Sequence, residues 1–137
     1  MKDVDINNLI GKPFASESDK AYGPNAYSCY GLIWEVYRRF GIEIPKTNIA
    51  VTACKQASNQ EIEEHAAKYW RPIDKPKVPC GVLIRSTNPD FANHIGVYIG
   101  KGKMLHITLN TNVTVDRIER WERKIIGYYE FIGQDSQ

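Results

Sequence analysis

Three side chains with useful chemistry stand in settings that favour catalysis. Cys29 precedes an amphipathic stretch, His94 begins a stretch of alternating residues, and His106 lies in the next such stretch. A thiol is a strong nucleophile only as the thiolate, and a helix N-terminus with a nearby imidazole lowers the pKa of a thiol. Together the three could supply a nucleophile, a base and a group that orients the base.

The residues after Cys29 predict the helix that would position it. One apolar stripe is formed at helical spacing by Leu32, Ile33, Val36, Tyr37 and Phe40. Ser28 is a typical N-cap and Gly41 a typical C-terminal stop. We therefore predict a helix over about residues 28–40, with Cys29 in the first turn. The unpaired amides there favour an anion, and the Cys29 amide could donate to a developing oxyanion.

Two alternating stretches predict a hairpin that carries the histidines. The loop is read as residues 100–102, which makes odd positions face odd positions across the pair. The aliphatic residues then form one face, while His94 and His106 share the other. Gly96 lies on the histidine face and would let another element approach, for which the helix carrying Cys29 is the expected candidate.

Several segments resemble the NlpC-type cell-wall cysteine peptidases. These are Ser28-Cys29-Tyr30-Gly31-Leu32, His94-Ile95-Gly96-Val97-Tyr98-Ile99-Gly100 and Met104-Leu105-His106. The interval between the histidines also fits, and within the group the chain is most similar to the branch found among bacteriophage tail and prophage proteins. The resemblance implies an α+β, minimal papain-like fold, in which an N-terminal helix carrying the Cys nucleophile packs on an antiparallel β-sheet of about five strands. It covers most of the chain, which we interpret as a single domain, 1–137.

The same resemblance implies hydrolysis of peptidoglycan stem peptides near γ-D-glutamate and diaminopimelate. Cys29 matches the nucleophile, His94 the base, and His106 the residue that orients the base. The candidates for substrate or oxyanion contacts are Tyr22, Tyr27, Ser28 and Tyr30. No cofactor is expected, and the tight ligand spacings of zinc sites are absent, so no metal is predicted.

Two departures from the family pattern keep an alternative open. Ser28 stands where the family usually has Asp, and the segment Pro79-Cys80-Gly81 lacks the acid that commonly enters the strand before the histidine strand. A catalytically decayed tail or assembly adaptor with the same fold is therefore the alternative function. Acyl transfer to an amine would use the same residues as hydrolysis and also stays open.

The remaining features concern compartment and partners. A formal charge of +2 over 137 residues gives no indication of nucleic-acid binding. Three cysteines, an odd number, argue against a disulfide framework. Cys54 and Cys80 lack a setting comparable to that of Cys29 and are interpreted as structural thiols, and His65 as a surface residue of a helix that opens near Ser58. No signal peptide or membrane span is recognised. We expect synthesis in the cytoplasm, with phage tail proteins as candidate partners and delivery in a virion or by lysis.

Overall fold

The computed structural model describes residues 5–15, 20–45, 69–85, 94–107 and 111–133, without the side chain of His94. This part of the chain contains the helix α1 (Cys29–Arg39) and the strands β1 (Trp70–Ile73), β2 (Cys80–Ile84), β3 (His94–Gly100), β4 (Lys103–His106), β5 (Thr114–Arg117) and β6 (Ile125–Phe131). Short 3-10 turns occur at Asn7–Leu9 and Ile118–Trp121. The predicted α+β class is confirmed, with six strands where about five were expected. The helix predicted near Ser58, with Cys54 and His65, lies outside the described residues.

The strands form one antiparallel sheet in the order β1-β6-β2-β3-β4-β5. Val97 lies opposite Leu105 and Tyr98 opposite Met104, so odd positions of β3 face odd positions of β4 as predicted. The predicted loop 100–102 is one residue too long, because Gly100 is paired with Lys103 and the turn contains only residues 101–102. The odd positions still face one another because the register shifts between Tyr98 and Gly100. Lys101 adopts a φ of 56° there, between two glycines that also have positive φ, which is how so short a connection reverses the chain.

The two faces of the sheet bury different sets of side chains. Buried residues of α1 form one cluster with Val97, Leu105 and Ile107, which belong to the aliphatic face of the hairpin. A second cluster contains Val82, Ile84 and Met104. Because side chains alternate along a strand, Met104 and Leu105 must point to opposite faces. The helix therefore covers the aliphatic face, while the second cluster lies on the other face.

A short N-terminal segment, residues 11–15, connects the loop before α1 to the approach to β5. On one side, Gly11, Val113 and Phe14 donate backbone hydrogen bonds of 2.9, 2.8 and 3.1 Å to carbonyls of Val113, Lys12 and Thr111. On the other side, Ala15 donates to the Tyr27 carbonyl and the Tyr27 amide donates to Pro13, both at 3.0 Å. Two parts of the chain that are far apart in sequence are thus fixed next to each other.

Candidate active site

The start of α1 forms as the sequence predicts. Ser28 is the N-cap, with an extended backbone, and its Oγ accepts a hydrogen bond from the Gly31 amide at 2.9 Å. The Ser28 amide donates to the Ala21 carbonyl at 2.9 Å. Both bonds are buried, since Ser28 has no exposed surface. Cys29 therefore occupies the first position of the helix, where the partial positive charge of the macrodipole favours an anion.

Gly31 allows the preceding loop to lie directly against this first turn. A Cβ at this position would overlap the Ala21 carbonyl oxygen and lie 2.8 Å from the carbonyl carbon. The Ala21 carbonyl is the acceptor that binds the Ser28 amide. The absence of a side chain at Gly31 thus permits the contact that holds the N-cap in place.

Cys29 is fully buried and disulfide-bonded in this structure. It packs in the same cluster as Leu32, Val97 and Leu105. A disulfide sulfur carries no thiolate, and a sulfur without solvent contact has no access to a substrate carbonyl. The odd number of cysteines argued against a disulfide framework, but Cys29 is disulfide-bonded, whereas Cys80 is a free, buried thiol. Cys29 can act as a nucleophile only after its disulfide is reduced and its sulfur is uncovered.

The tyrosines predicted to contact substrate lie around the start of the helix. Tyr27 and Tyr30 are 2 % and 1 % exposed, and burial raises the pKa of both phenols. The Tyr30 hydroxyl donates to the Pro45 carbonyl at 2.7 Å. Tyr22 is half-buried, and its ring meets those of Tyr30 and Trp34 edge to face, with centroids 6.5 and 5.4 Å apart. In this structure the three rings pack the loop against the helix.

His94 is the first residue of β3, where its Cα is paired with that of Ile84 on β2. His106 ends β4 and is paired with Thr114 on β5. Gly96 lies between them on the same face of the sheet, and a Cβ built on it would be 3.2 Å from the His106 Cβ. The backbone therefore places the two histidine positions diagonally on neighbouring strands, as the predicted register requires.

His106 is held by a carboxylate and an indole. Its Nε2 lies 2.7 Å from Asp116 Oδ2, and Trp121 Nε1 donates to the same oxygen at 3.1 Å. The rings of His106 and Trp121 meet edge to face, with centroids 5.1 Å apart. Burial alone would raise the pKa of Asp116, but the hydrogen bonds from His106 and Trp121, with the charge of Arg120 at 3.6 Å, lower it. Asp116 is therefore an anion at neutral pH.

The helix does not lie on the histidine face, which corrects one expectation. The cluster of α1 and Cys29 includes Leu105 and Ile107, whereas His106 alternates with them and shares its face with Met104. The atoms nearest to a Cβ at Gly96 belong to β4, not to α1. The apolar stripe of the helix buries more hydrocarbon against the aliphatic face than it could against a face carrying two imidazoles. Cys29 and His106 are thus not brought together on one face.

Asp116 and Trp121 are functional candidates that the sequence analysis missed. Asp116 follows the residue paired with His106 by two positions, so alternation puts both side chains on one face. The stretch Thr114–Arg117 contains a single aliphatic residue, and its alternation is too short to indicate a strand. Had β5 been recognised, the register would have placed a carboxylate beside the histidine.

Within the five described stretches, no group of three or more His, Cys, Asp or Glu side chains is arranged to hold a metal ion. The same part of the chain contains no helix with the length and apolar character needed to cross a bilayer.

The class of this protein follows from its fold and from comparison of its sequence with known families. The sequence profile of the NlpC/P60 family matches residues 13–129, so the chain belongs to the NlpC/P60 family. Among individual proteins, it is similar to the probable endopeptidases p60 of Listeria innocua and Listeria monocytogenes, with 28% identity over 108 residues in each case. These alignments cover 77% of this chain but only 20% and 19% of the two relatives. The chain thus spans about a fifth of their length.

Solved structures show the same fold. An NLP/P60-family protein similar to a lipoprotein, from Staphylococcus aureus, matches with a TM-score of 0.58 and 17% identity, over 91% of this chain and 38% of the other. An NlpC/P60 family protein from Bacillus cereus also matches with a TM-score of 0.58, at 15% identity, over 91% of this chain and 37% of the other. The architecture is that of a small α+β papain-like domain.

Proposed function

We propose that this domain is a cysteine peptidase that hydrolyses peptidoglycan stem peptides, near γ-D-glutamate and diaminopimelate. Membership of the NlpC/P60 family supports the reaction class. The observation that carries the proposal is the position of Cys29, the first residue of a helix whose N-cap is Ser28. A sulfur at that position has backbone amides beside it that stabilise both the thiolate and the oxyanion formed from the substrate.

In the proposed reaction, His94 takes the proton of the reduced Cys29 thiol, and the thiolate sulfur attacks the carbonyl carbon of an amide bond. The C–N bond of the resulting tetrahedral adduct breaks, and the leaving amine takes the proton from His94. Water, deprotonated by His94, then attacks the thioester, which releases the carboxylate and restores the thiol. His106 orients His94 throughout.

The buried, disulfide-bonded state of Cys29 adds a requirement to this proposal. Before the first turnover, the bond has to be reduced, the sulfur has to become accessible, and it has to reach the histidines, which β3 and β4 place on the other face of the sheet. A reducing compartment at synthesis would supply the thiol form. Association with a phage tail as the route to the wall is proposed from the sequence resemblance alone.

The proposal is tested by digesting purified cell walls with reduced protein and analysing the released peptides by mass spectrometry. We expect stem-peptide fragments from the wild type and none from Cys29→Ala. Cys80→Ala is the matched control, because Cys80 is the free buried thiol of β2 and has no part in the reaction. If the reduced wild type releases no more than Cys29→Ala from walls of several chemistries, the domain is an adaptor. Added amines that appear in the products would indicate acyl transfer.

A further inference from the structure

The cluster around His106 contains a group that the proposed triad does not use, the carboxylate of Asp116. His106 and Asp116 have side chains only 7% and 17% exposed, and their contact of 2.7 Å lies between adjacent strands. A single oxygen, Oδ2, contacts both His106 Nε2 and the indole N–H of Trp121. An exposed ion pair would be weak, but a shielded bond to a carboxylate is among the stronger hydrogen bonds in proteins.

This contact determines which nitrogen of His106 carries hydrogen. An ionised carboxylate has no hydrogen to donate, so at its contact with Nε2 the ring must be the donor. The neutral imidazole is then the Nε2–H tautomer, and its lone pair is at Nδ1. Trp121 contributes by donating to the same oxygen, which keeps that oxygen directed at His106, and by packing its ring against the imidazole.

The backbone places this oriented ring where it could serve a base on β3. His106 lies across from Gly96, and His94 is two residues before Gly96 on the same face. A residue that orients a base must accept from one nitrogen of the base while the other nitrogen takes the proton of the nucleophile. Nδ1 of an Nε2–H imidazole is such an acceptor.

We propose that Asp116 is a positioning residue that holds His106 as the Nε2–H tautomer, so that its buried Nδ1 is the hydrogen-bond acceptor on the face of the sheet where β3 places His94. Asp116 then acts on the proposed base through His106, and Trp121 fixes the Asp116 carboxylate. Cys29 packs against the opposite face of the sheet in this structure and is not part of this set of contacts. This inference rests on the proposed peptidase function for its kinetic consequence, but the tautomer itself can be measured without any turnover.

Three variants test the proposal. Asp116→Leu replaces the carboxylate with an apolar side chain of similar size, so His106 Nε2–H loses its acceptor. Asp116→Asn keeps one side-chain oxygen, which the Trp121 N–H can hold in place. Arg120→Ala is the matched control, because it removes an ion-pair partner of Asp116 that is 72% exposed and keeps the Asp116 carboxylate. Melting temperatures identify any variant that fails to fold.

The first readout is the tautomer, from long-range 1H–15N correlation spectra of 15N-histidine protein at a pH where the ring is neutral. We expect the His106 hydrogen on Nε2, protected from exchange, in the wild type, Asp116→Asn and Arg120→Ala, and loss of that protection in Asp116→Leu. The second readout is turnover of a stem peptide by reduced protein. We expect kcat to fall about 100-fold in Asp116→Leu, the scale for a misplaced catalytic group, with KM nearly unchanged. Asp116→Asn should recover most of this loss.

The outcomes separate the two proposals. A wild-type His106 with its hydrogen on Nδ1, or a folded Asp116→Leu that keeps the wild-type kcat, overturns the positioning role. Equal losses in Asp116→Asn and Asp116→Leu would also overturn it, since only one of them lacks the acceptor. Failure of the peptidase proposal looks different, because the wild type would then be as inactive as Cys29→Ala whatever the tautomer.

Discussion

Gly31→Ala provides a sharp test of how the nucleophile-bearing turn is built. On helix propensity alone, alanine in place of a helical glycine stabilises by roughly 0.5–1 kcal/mol. In this structure the added Cβ would overlap the Ala21 carbonyl and lie 3.0 Å from Ser28 Oγ. The carbonyl would have to move, and its bond from the Ser28 amide would break. The structure therefore predicts the opposite sign.

The magnitude follows from the bonds involved. Loss of a buried backbone hydrogen bond costs about 1–3 kcal/mol, and disturbance of the Ser28 cap costs about 1 kcal/mol. After subtracting the gain in propensity, we expect Gly31→Ala to lower the free energy of unfolding by about 2 kcal/mol. In a domain of this size that corresponds to a fall in melting temperature of about 7 °C.

Urea unfolding followed by circular dichroism would measure this change under reducing conditions. Gly81→Ala is the matched control, because a Cβ there would meet its nearest neighbours, including Trp70, at an ordinary 3.7 Å. We expect that variant to remain within about 0.5 kcal/mol of the wild type. If Gly31→Ala were as stable as the wild type or more stable, the described contact between Ala21 and the first turn of α1 would be refuted.

Three further predictions concern single side chains. Without reductant, Cys29 should resist iodoacetamide because it is disulfide-bonded. After reduction it should react below pH 8 at least about tenfold faster than Cys80, because burial raises the pKa of the Cys80 thiol to about 11. Peptide mass spectrometry would measure both rates. Tyr30→Phe removes the bond to the Pro45 carbonyl and should cost about 1 kcal/mol in urea unfolding, whereas an unchanged midpoint would contradict that bond. Burial opposes ionisation of Glu35, but bonds from two arginines lower its pKa below the unfolded value, so its stabilisation is present above about pH 4.3 and is lost as the pH falls through its folded pKa. Between pH 7 and pH 3, the melting temperature should therefore fall less for Glu35→Gln than for the wild type. An equal fall in the two proteins would contradict the ion pairs of Glu35.

The elements with local signals were predicted well from the sequence. Ser28, the apolar stripe and Gly41 specify α1, and each of these signals acts within a few residues of the element that it specifies. The odd-to-odd pairing of the hairpin was predicted from alternation, and the pairing of Val97 with Leu105 confirms it. The predicted loop length was wrong by one residue, and a register shift beside the turn compensates for the difference. Such features need no knowledge of the rest of the chain.

Features that depend on long-range packing were not predicted. Gly96 led us to expect that the helix packs on the histidine face. Instead, the apolar stripe of α1 packs against the aliphatic face of the hairpin, where it buries more apolar surface. Asp116 becomes a partner of His106 only through the pairing of β4 with β5, and β5 is too short to be recognised by its pattern. The disulfide state of Cys29 could not be inferred from the number of cysteines.

The segment 11–15 has a consequence for how this domain can vary. All five bonds that join it to the Tyr27 loop and to the approach to β5 are made by backbone atoms, and Pro13 contributes only its carbonyl. Apart from Gly11, which has a φ of 93°, and Phe14, which packs against the core cluster, the backbone bonds place little demand on the side chains there. An insertion or deletion, however, would shift every donor and acceptor out of register. Selection on this stretch should therefore act on its length as well as on Gly11 and Phe14, because the length sets the spacing between the loop before Cys29 and the strand that carries Asp116.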